Sequence, residues 1–145
     1  MFQIKISITI FAPKKVVWEV ICDTKSYPIW NKFVVCCESS LEVGSPIIMK
    51  VKLFPFGVIH QKEMISQNRK EAFMEYKTAF PLGLLSSSRQ HILTEIDANT
   101  TEYTSFWETK GLLSPLNRLI FGKQLNWGFQ EMTLGLKSQA EKQHL

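Results

Sequence analysis

The sequence predicts an α+β fold in which a curved antiparallel sheet wraps around one long C-terminal helix. Two observations carry this. From about Pro115 to Ala140 the apolar residues recur at helical spacing, with Phe121, Leu125, Phe129, Met132, Leu136 and Ala140 on one stripe. Most of the chain before it reads as short strands divided by turn residues, and so long a stripe needs a broad curved surface to cover it. With 145 residues, 45% of them hydrophobic and 21% charged, residues 1–145 are expected to form a single domain with a substantial core.

The elements follow in order. Phe2, Ile4, Ile6, Ile8 and Ile10 alternate with Gln3, Lys5, Ser7 and Thr9, the period of a strand with one buried face. Ala12-Pro13 ends that strand and suits a helix start. Val16, Val17, Val20 and Ile21 then give a short amphipathic helix carrying Trp18, closed at Asp23-Thr24, and a further helical turn holds Tyr27, Pro28 and Trp30. Strands are expected at 34–39, 46–53, 58–67, 72–79, 88–96 and 101–110. Turn residues separate them at Val43-Gly44-Ser45, Pro55-Phe56-Gly57, Asn68-Arg69-Lys70, Pro81-Leu82-Gly83 and Asp97-Ala98-Asn99. No repeat, linker or low-complexity tract interrupts this order.

Charge and cysteine content narrow the function classes. The net charge is +4, but the basic residues, Lys50, Arg69, Arg89, Arg118 and Lys123 among them, are scattered among carboxylates without an Arg-rich block, which points to a solvated, mildly basic surface and away from nucleic acid. Cys22, Cys36 and Cys37 are odd in number and lack a CxxC or Cys/His ligand spacing, so neither a disulfide framework nor a zinc site is expected. The N-terminus opens as a strand broken by Lys5, without the pattern of a secretory signal, and no apolar run reaches membrane-spanning length. The expectation is a reduced, cytoplasmic protein that contacts a membrane at most peripherally. No GxSxG, P-loop or GxGxxG is present, and no metal or cofactor is expected.

Ile10-Phe11-Ala12-Pro13, Val17-Trp18-Glu19-Val20, Asp23, Tyr27 and Trp30-Asn31-Lys32-Phe33 resemble the opening of the START-related, or SRPBCC, superfamily. Gly44, Tyr76, Thr101-Glu102-Tyr103-Thr104, Gly111-Leu112-Leu113-Ser114-Pro115-Leu116 and Gly128-Phe129-Gln130-Glu131-Met132 are similar to its later landmarks, so the resemblance spans essentially the whole chain. It implies a helix-grip fold, a seven-stranded curved antiparallel sheet around the C-terminal helix with two short helices after the first strand. It also implies a space between sheet and helix that takes apolar or amphipathic molecules such as lipids, polyketides or quinones. The nearest flavour is the polyketide cyclase/dehydrase and lipid-transport group.

Two departures from that pattern bear on function. Lys32 stands where the superfamily commonly has Pro, which predicts a less rigid loop. Trp107 stands where an acid is common, which would remove a charge from the pocket and shrink it. Tyr103, Ser105, Trp107 and Thr109 are expected to share one strand face.

Candidate ligand contacts come from facing elements. Phe121, Leu125, Phe129 and Met132 supply a helix wall. Met74, Tyr76, Thr78 and Phe80 come from one strand, His91 and Leu93 from the next, and Tyr103, Ser105 and Trp107 from the last. Read without the resemblance, the same stripe fits an ordinary filled core. Gly122, Gly128 and Gly135 each cost on the order of 1 kcal/mol inside a helix, so close approach or a kink is expected there.

Catalytic constellations are thin. Asp23 reads as a helix-end cap and Asp97 as a turn residue. His91 fits a structural role, with a polar pocket contact or a general base as alternatives; Glu75 or Glu95 would have to converge with it to support acid–base chemistry. The parity Arg89, His91, Leu93, Glu95 could face inward, and the opposite parity, Gln90, Ile92, Thr94, Ile96, reads as at least as buried. The adjacent Cys36 and Cys37 are expected on opposite faces of a strand. The segments 53–58 and 80–85 are unusually apolar for loop tips and fit a lid over the cavity mouth, packing on neighbouring helices, or docking on a membrane or partner. The expected function is binding or transport of a small hydrophobic molecule, with a cyclase-type enzyme and a protein-interaction module as alternatives.

Overall fold

Seven strands form one antiparallel sheet in the computed structural model, which describes residues 1–53 and 56–145. In chain order the elements are β1 (Phe2–Ile10), α1 (Lys14–Cys22), α2 (Tyr27–Trp30), β2 (Val34–Glu38), β3 (Pro46–Lys52), β4 (Val58–Arg69), β5 (Phe73–Ala79), β6 (Ser86–Asp97), β7 (Thr100–Lys110) and α3 (Ser114–His144). The strands are ordered β1-β7-β6-β5-β4-β3-β2, so α1 and α2 carry the chain from one edge of the sheet to the other. Every other sheet connection is a hairpin. Bulges between Val34 and Cys36, Ile65 and Gln67, and Glu95 and Asp97 add local bend and twist, which curls the sheet toward α3.

The helical stripe forms as its spacing predicts. Leu125, Phe129, Met132, Leu136 and Ala140 are buried against the sheet and Phe121 is half-buried. Gly128 and Gly135 mark the closest approaches. A Cβ at Gly128 would lie 2.1 Å from the Phe33 ring, and one at Gly135 would lie 2.3 Å from the Trp30 carbonyl oxygen. Gly122 has only ordinary contacts, the nearest at 3.7 Å, so close approach accounts for two of the three helix glycines. Gly111 is required twice over between β7 and α3. Its φ of +111° is a glycine conformation, and a Cβ there would press on the Gly83 and Leu84 carbonyl oxygens.

One local bound needs adjustment. The β4–β5 ladder continues to the pair Arg69 and Phe73, so the turn falls at residues 70–72, with Glu71 at φ +62°, two residues beyond the Asn68-Arg69-Lys70 signal. In the loop that carries Lys32, the Asn31 side-chain carbonyl accepts from the backbone N–H groups of Phe33 (3.0 Å) and Val34 (2.8 Å). In the apolar segment 53–58, Phe54 and Pro55 lie outside the described residues. Cys36 is exposed and Cys37 buried, on opposite sides of β2. No described helix is long and apolar enough to cross a membrane.

Candidate functional site

Strand alternation decides which side chains face α3, and position along each strand decides whether they meet a cavity. On β5, β6 and β7 the inward residues are Met74, Tyr76 and Thr78; Arg89, His91 and Leu93; and Tyr103, Ser105, Trp107 and Thr109. The register sets Arg89 opposite Trp107, His91 opposite Ser105 and Leu93 opposite Tyr103. At one end the space is filled by Met74, Leu93, Tyr103, Met132 and Leu136. At the other end a cavity of about 240 Å³ opens between the sheet and the first half of α3.

The sequence-derived candidates divide at this boundary. Tyr76, Thr78, Phe80, Trp107, Phe121, Leu125 and Phe129 line the cavity. Met74, His91, Leu93, Tyr103, Ser105 and Met132 share their inward face but lie in the packed end, away from the cavity lining. Parity separates inside from outside and cannot separate filled core from open space. Trp107 behaves as a bulky wall, edge-on to Phe2 at 5.4 Å and tilted against Phe129 at 5.6 Å.

The polar equipment of the cavity is different from that expected. Arg89, counted among surface charges by its sequence context, is only 3% exposed and lines the cavity. Its Nη1 donates to Ser105 Oγ (2.7 Å) and to the Gln90 carbonyl (3.1 Å), its Nη2 to Tyr103 Oη (3.4 Å), and the guanidinium lies 4.7 Å from the Phe129 ring centroid. Among the described residues no carboxylate forms an ion pair with it. A buried cation is ordinarily paired, because leaving water costs several kcal/mol. The inward parity of His91 was the available signal for Arg89; its type alone placed it on the surface.

Glu63 and Asn117 also belong to the polar lining. Neither Glu63 Oε1 nor Asn117 Oδ1 has a hydrogen-bond partner, although both atoms are buried. Burial pushes the Glu63 carboxyl up to about 7, against the pull of the Arg89 charge. A carboxyl raised on folding contributes stability in full below its ordinary value of 4.5 and loses that contribution as pH rises through 7. At about 1.4 kcal/mol per pH unit the span corresponds to roughly 3 kcal/mol. We therefore expect Glu63→Gln to gain stability relative to the parent protein as pH rises from 4.5 to 7, read by urea unfolding across that range; parallel pH curves for the two proteins would contradict the assignment.

His91 is not poised for chemistry in this arrangement. It is buried behind the cavity floor, with Nε2 3.2 Å from Tyr76 Oη and Nδ1 2.7 Å from Tyr103 Oη. Burial, and then the Arg89 charge, hold it well below the ordinary histidine range, so the ring is neutral and donates one of these bonds while accepting the other. The carboxylates proposed as its partners lie elsewhere. Glu95 is exposed, and Glu75 sits on the outer face of the sheet, accepting from Gln90 Nε2 (2.7 Å), Ser66 Oγ (2.8 Å) and Ser88 Oγ (3.0 Å). Burial alone would raise Glu75, but these bonds and Lys77 outweigh it and bring the carboxyl down to about 2.

The curled seven-stranded sheet gripping one long helix has solved counterparts. A START superfamily protein from Mycobacterium smegmatis superposes with a TM-score of 0.74 at 11% identity, over 97% of this chain and 98% of that one. The chain has a START-like, helix-grip fold. The Zhui aromatase/cyclase from Streptomyces sp. R1128 superposes with a TM-score of 0.69 at 14% identity, over 99% of this chain and 93% of that one. The di-domain ARO/CYC BexL from the BE-7585A biosynthetic pathway gives 0.75 at 12% identity over 97% of this chain, which spans 47% of that protein. No protein-family model and no curated protein matches the sequence. The START-like architecture thus rests on geometry, and the residues of the cavity carry any further statement about function.

Proposed function

We propose that this START-like protein binds a small amphipathic molecule, its apolar body between α3 and the sheet and one anionic or acceptor group against Arg89. The observation that supports this reading is a buried guanidinium, without a carboxylate partner among the described residues, in a cavity whose apolar walls include Phe33, Val51, Ile59, Leu85, Trp107 and Phe129. The apolar walls supply affinity through area removed from water, about 25 cal/mol per Å². The polar end supplies orientation. A volume of about 240 Å³ exceeds the roughly 150 Å³ that accommodates benzene and falls short of the roughly 300 Å³ typical of larger ligand sites. A short chain or a one- or two-ring body therefore fits inside, and a longer molecule would extend through the mouth.

The test is titration of a dansyl-labelled fatty acid, followed by its fluorescence, into the parent protein and Thr78→Trp. Thr78 is a half-buried lining residue, and an indole in its place fills the cavity. The expected outcome is saturable uptake by the parent protein and a loss of at least about tenfold in the variant, with unchanged thermal stability. Equal uptake by both proteins would contradict this location.

A second reading, a cyclase-type enzyme, draws on Glu63. A carboxyl near 7 that faces a cavity is suited to proton transfer at neutral pH, and two of the structural counterparts are aromatase/cyclases. Turnover of a poly-β-ketone substrate that disappears in Glu63→Gln would favour it over simple binding.

A further inference from the structure

Three segments build the open end of the molecule: the β3–β4 region, the β5–β6 region, and the β7–α3 corner with the first turns of α3. They are joined in space. Leu112 and Leu113 donate backbone N–H groups to the carbonyls of Gly83 (3.3 Å) and Leu84 (2.8 Å), and Phe56 packs on Phe121 at 5.3 Å. This end is unusually apolar where it meets water. Leu82 is 91% exposed, Leu119 82% and Leu112 78%, with Leu116 and Ile120 exposed beside them on one flank of α3. From Leu125 onward the helix buries its apolar stripe in the ordinary way; its first turns instead carry leucines outward. Leu82 also holds a left-handed backbone, φ +62°, that bulky residues rarely adopt, and thereby presents its side chain at the tip of the loop.

Charge is distributed in the same pattern. Residues 52–62, 76–94 and 109–130 contain no Asp or Glu, while Lys52, Lys110, Arg118 and Lys123 are exposed there. Of the carboxylates that flank these ranges, Glu108 is engaged by Lys110 at 3.4 Å and by Gln3 at 3.0 Å. The cavity wall runs into this surface, because Phe80 lines the cavity and is itself 58% exposed.

We infer that this end docks on an anionic lipid bilayer, with the leucines inserted at the headgroup level, the cations among the headgroups and the cavity mouth turned toward the lipid. Exposed leucines rimmed by cations match the chemistry of an anionic interface, where apolar insertion and basic residues act together. A second copy of the chain is a poorer occupant, since two such faces would oppose cation to cation. The inference goes beyond ligand binding in solution and does not depend on it.

The test is flotation of the purified protein with phosphatidylcholine vesicles, with and without phosphatidylglycerol. The expected result is association with phosphatidylglycerol vesicles only, weakening as salt is raised. Leu82→Ser/Leu119→Ser is expected to reduce the bound fraction roughly tenfold, and Arg118→Glu/Lys123→Glu to abolish the dependence on phosphatidylglycerol. These positions are exposed and outside the cavity lining, so both variants should keep the parent's melting temperature and its uptake of dansyl-labelled fatty acid. A parent protein that stays unbound with phosphatidylglycerol at low salt, or a leucine variant that floats as well as the parent, would overturn the inference. So would sedimentation showing that the leucine pair instead holds two chains together.

Discussion

Replacing Arg89 with Met is expected to lower affinity for a dansyl-labelled fatty acid by roughly 10- to 100-fold, and to leave affinity for its methyl ester nearly unchanged. A hydrogen bond to a charged group is worth about 1.5–3 kcal/mol, and 1.4 kcal/mol is tenfold in binding. The ester keeps the apolar body and loses the charge, so the difference between the two probes isolates the guanidinium. Stability should hold or rise. Arg89 is buried without a carboxylate partner, and Met fills similar volume beside Met132 and Phe129 without the desolvation cost of a cation. The hydroxyls of Ser105 and Tyr103 lose a donor in the variant, which offsets part of that gain. Fluorescence titration and thermal melting of the same samples check both statements; equal losses for acid and ester would mean that Arg89 only shapes the wall.

Gly135→Ala is expected to destabilise the fold by about 2–3 kcal/mol, whereas Gly122→Ala should stabilise it by up to about 1 kcal/mol. Helix propensity favours Ala at both sites equally. The opposite signs come from packing. At Gly135 the new methyl would meet the backbone oxygen of Trp30 at 2.3 Å, an atom fixed by α2, so α3 itself must shift. At Gly122 the nearest groups are the Phe2 ring at 3.7 Å and the Arg118 stem at 3.8 Å, both ordinary contacts. Gly128→Ala combines stability with function, because its methyl would strike the Phe33 ring, a cavity wall, and should reduce probe uptake as well. Urea unfolding of the three variants tests the account of helix–sheet approach; a loss of stability at all three sites alike would contradict it.

The architecture was legible because it rests on periodicity. Alternation in Phe2–Ile10 and the stripe from Phe121 to Ala140 each mark one buried face, and turn residues divide the strands between them. The bounds of β4 were less so, since an Asn-Arg-Lys turn signal was overridden by continued pairing of Arg69 with Phe73. The cavity was legible only in part. Parity put Tyr76, Trp107 and Phe129 on the right face, and it put His91 and Tyr103 there too, although the packed end excludes them from the open space. How far the core fills along a strand is set by many side chains together, and no local pattern encodes it. Glu63 and Asn117 escaped for another reason. Charged and amide residues are normally exposed, so only the partner geometry of β4 and α3 reveals that these two face inward, whereas Arg89 shared the inward parity of His91 and was set on the surface by its type.

The most direct test of amphipathic ligand binding is native mass spectrometry of freshly purified protein and of Arg89→Met, followed by organic extraction. The account predicts a small molecule with an apolar body and an acidic or acceptor end, bound at one equivalent per chain or taken up from an added fatty acid, and depleted in the variant. A parent protein that is empty and takes up neither fatty acids nor other apolar probes would contradict it.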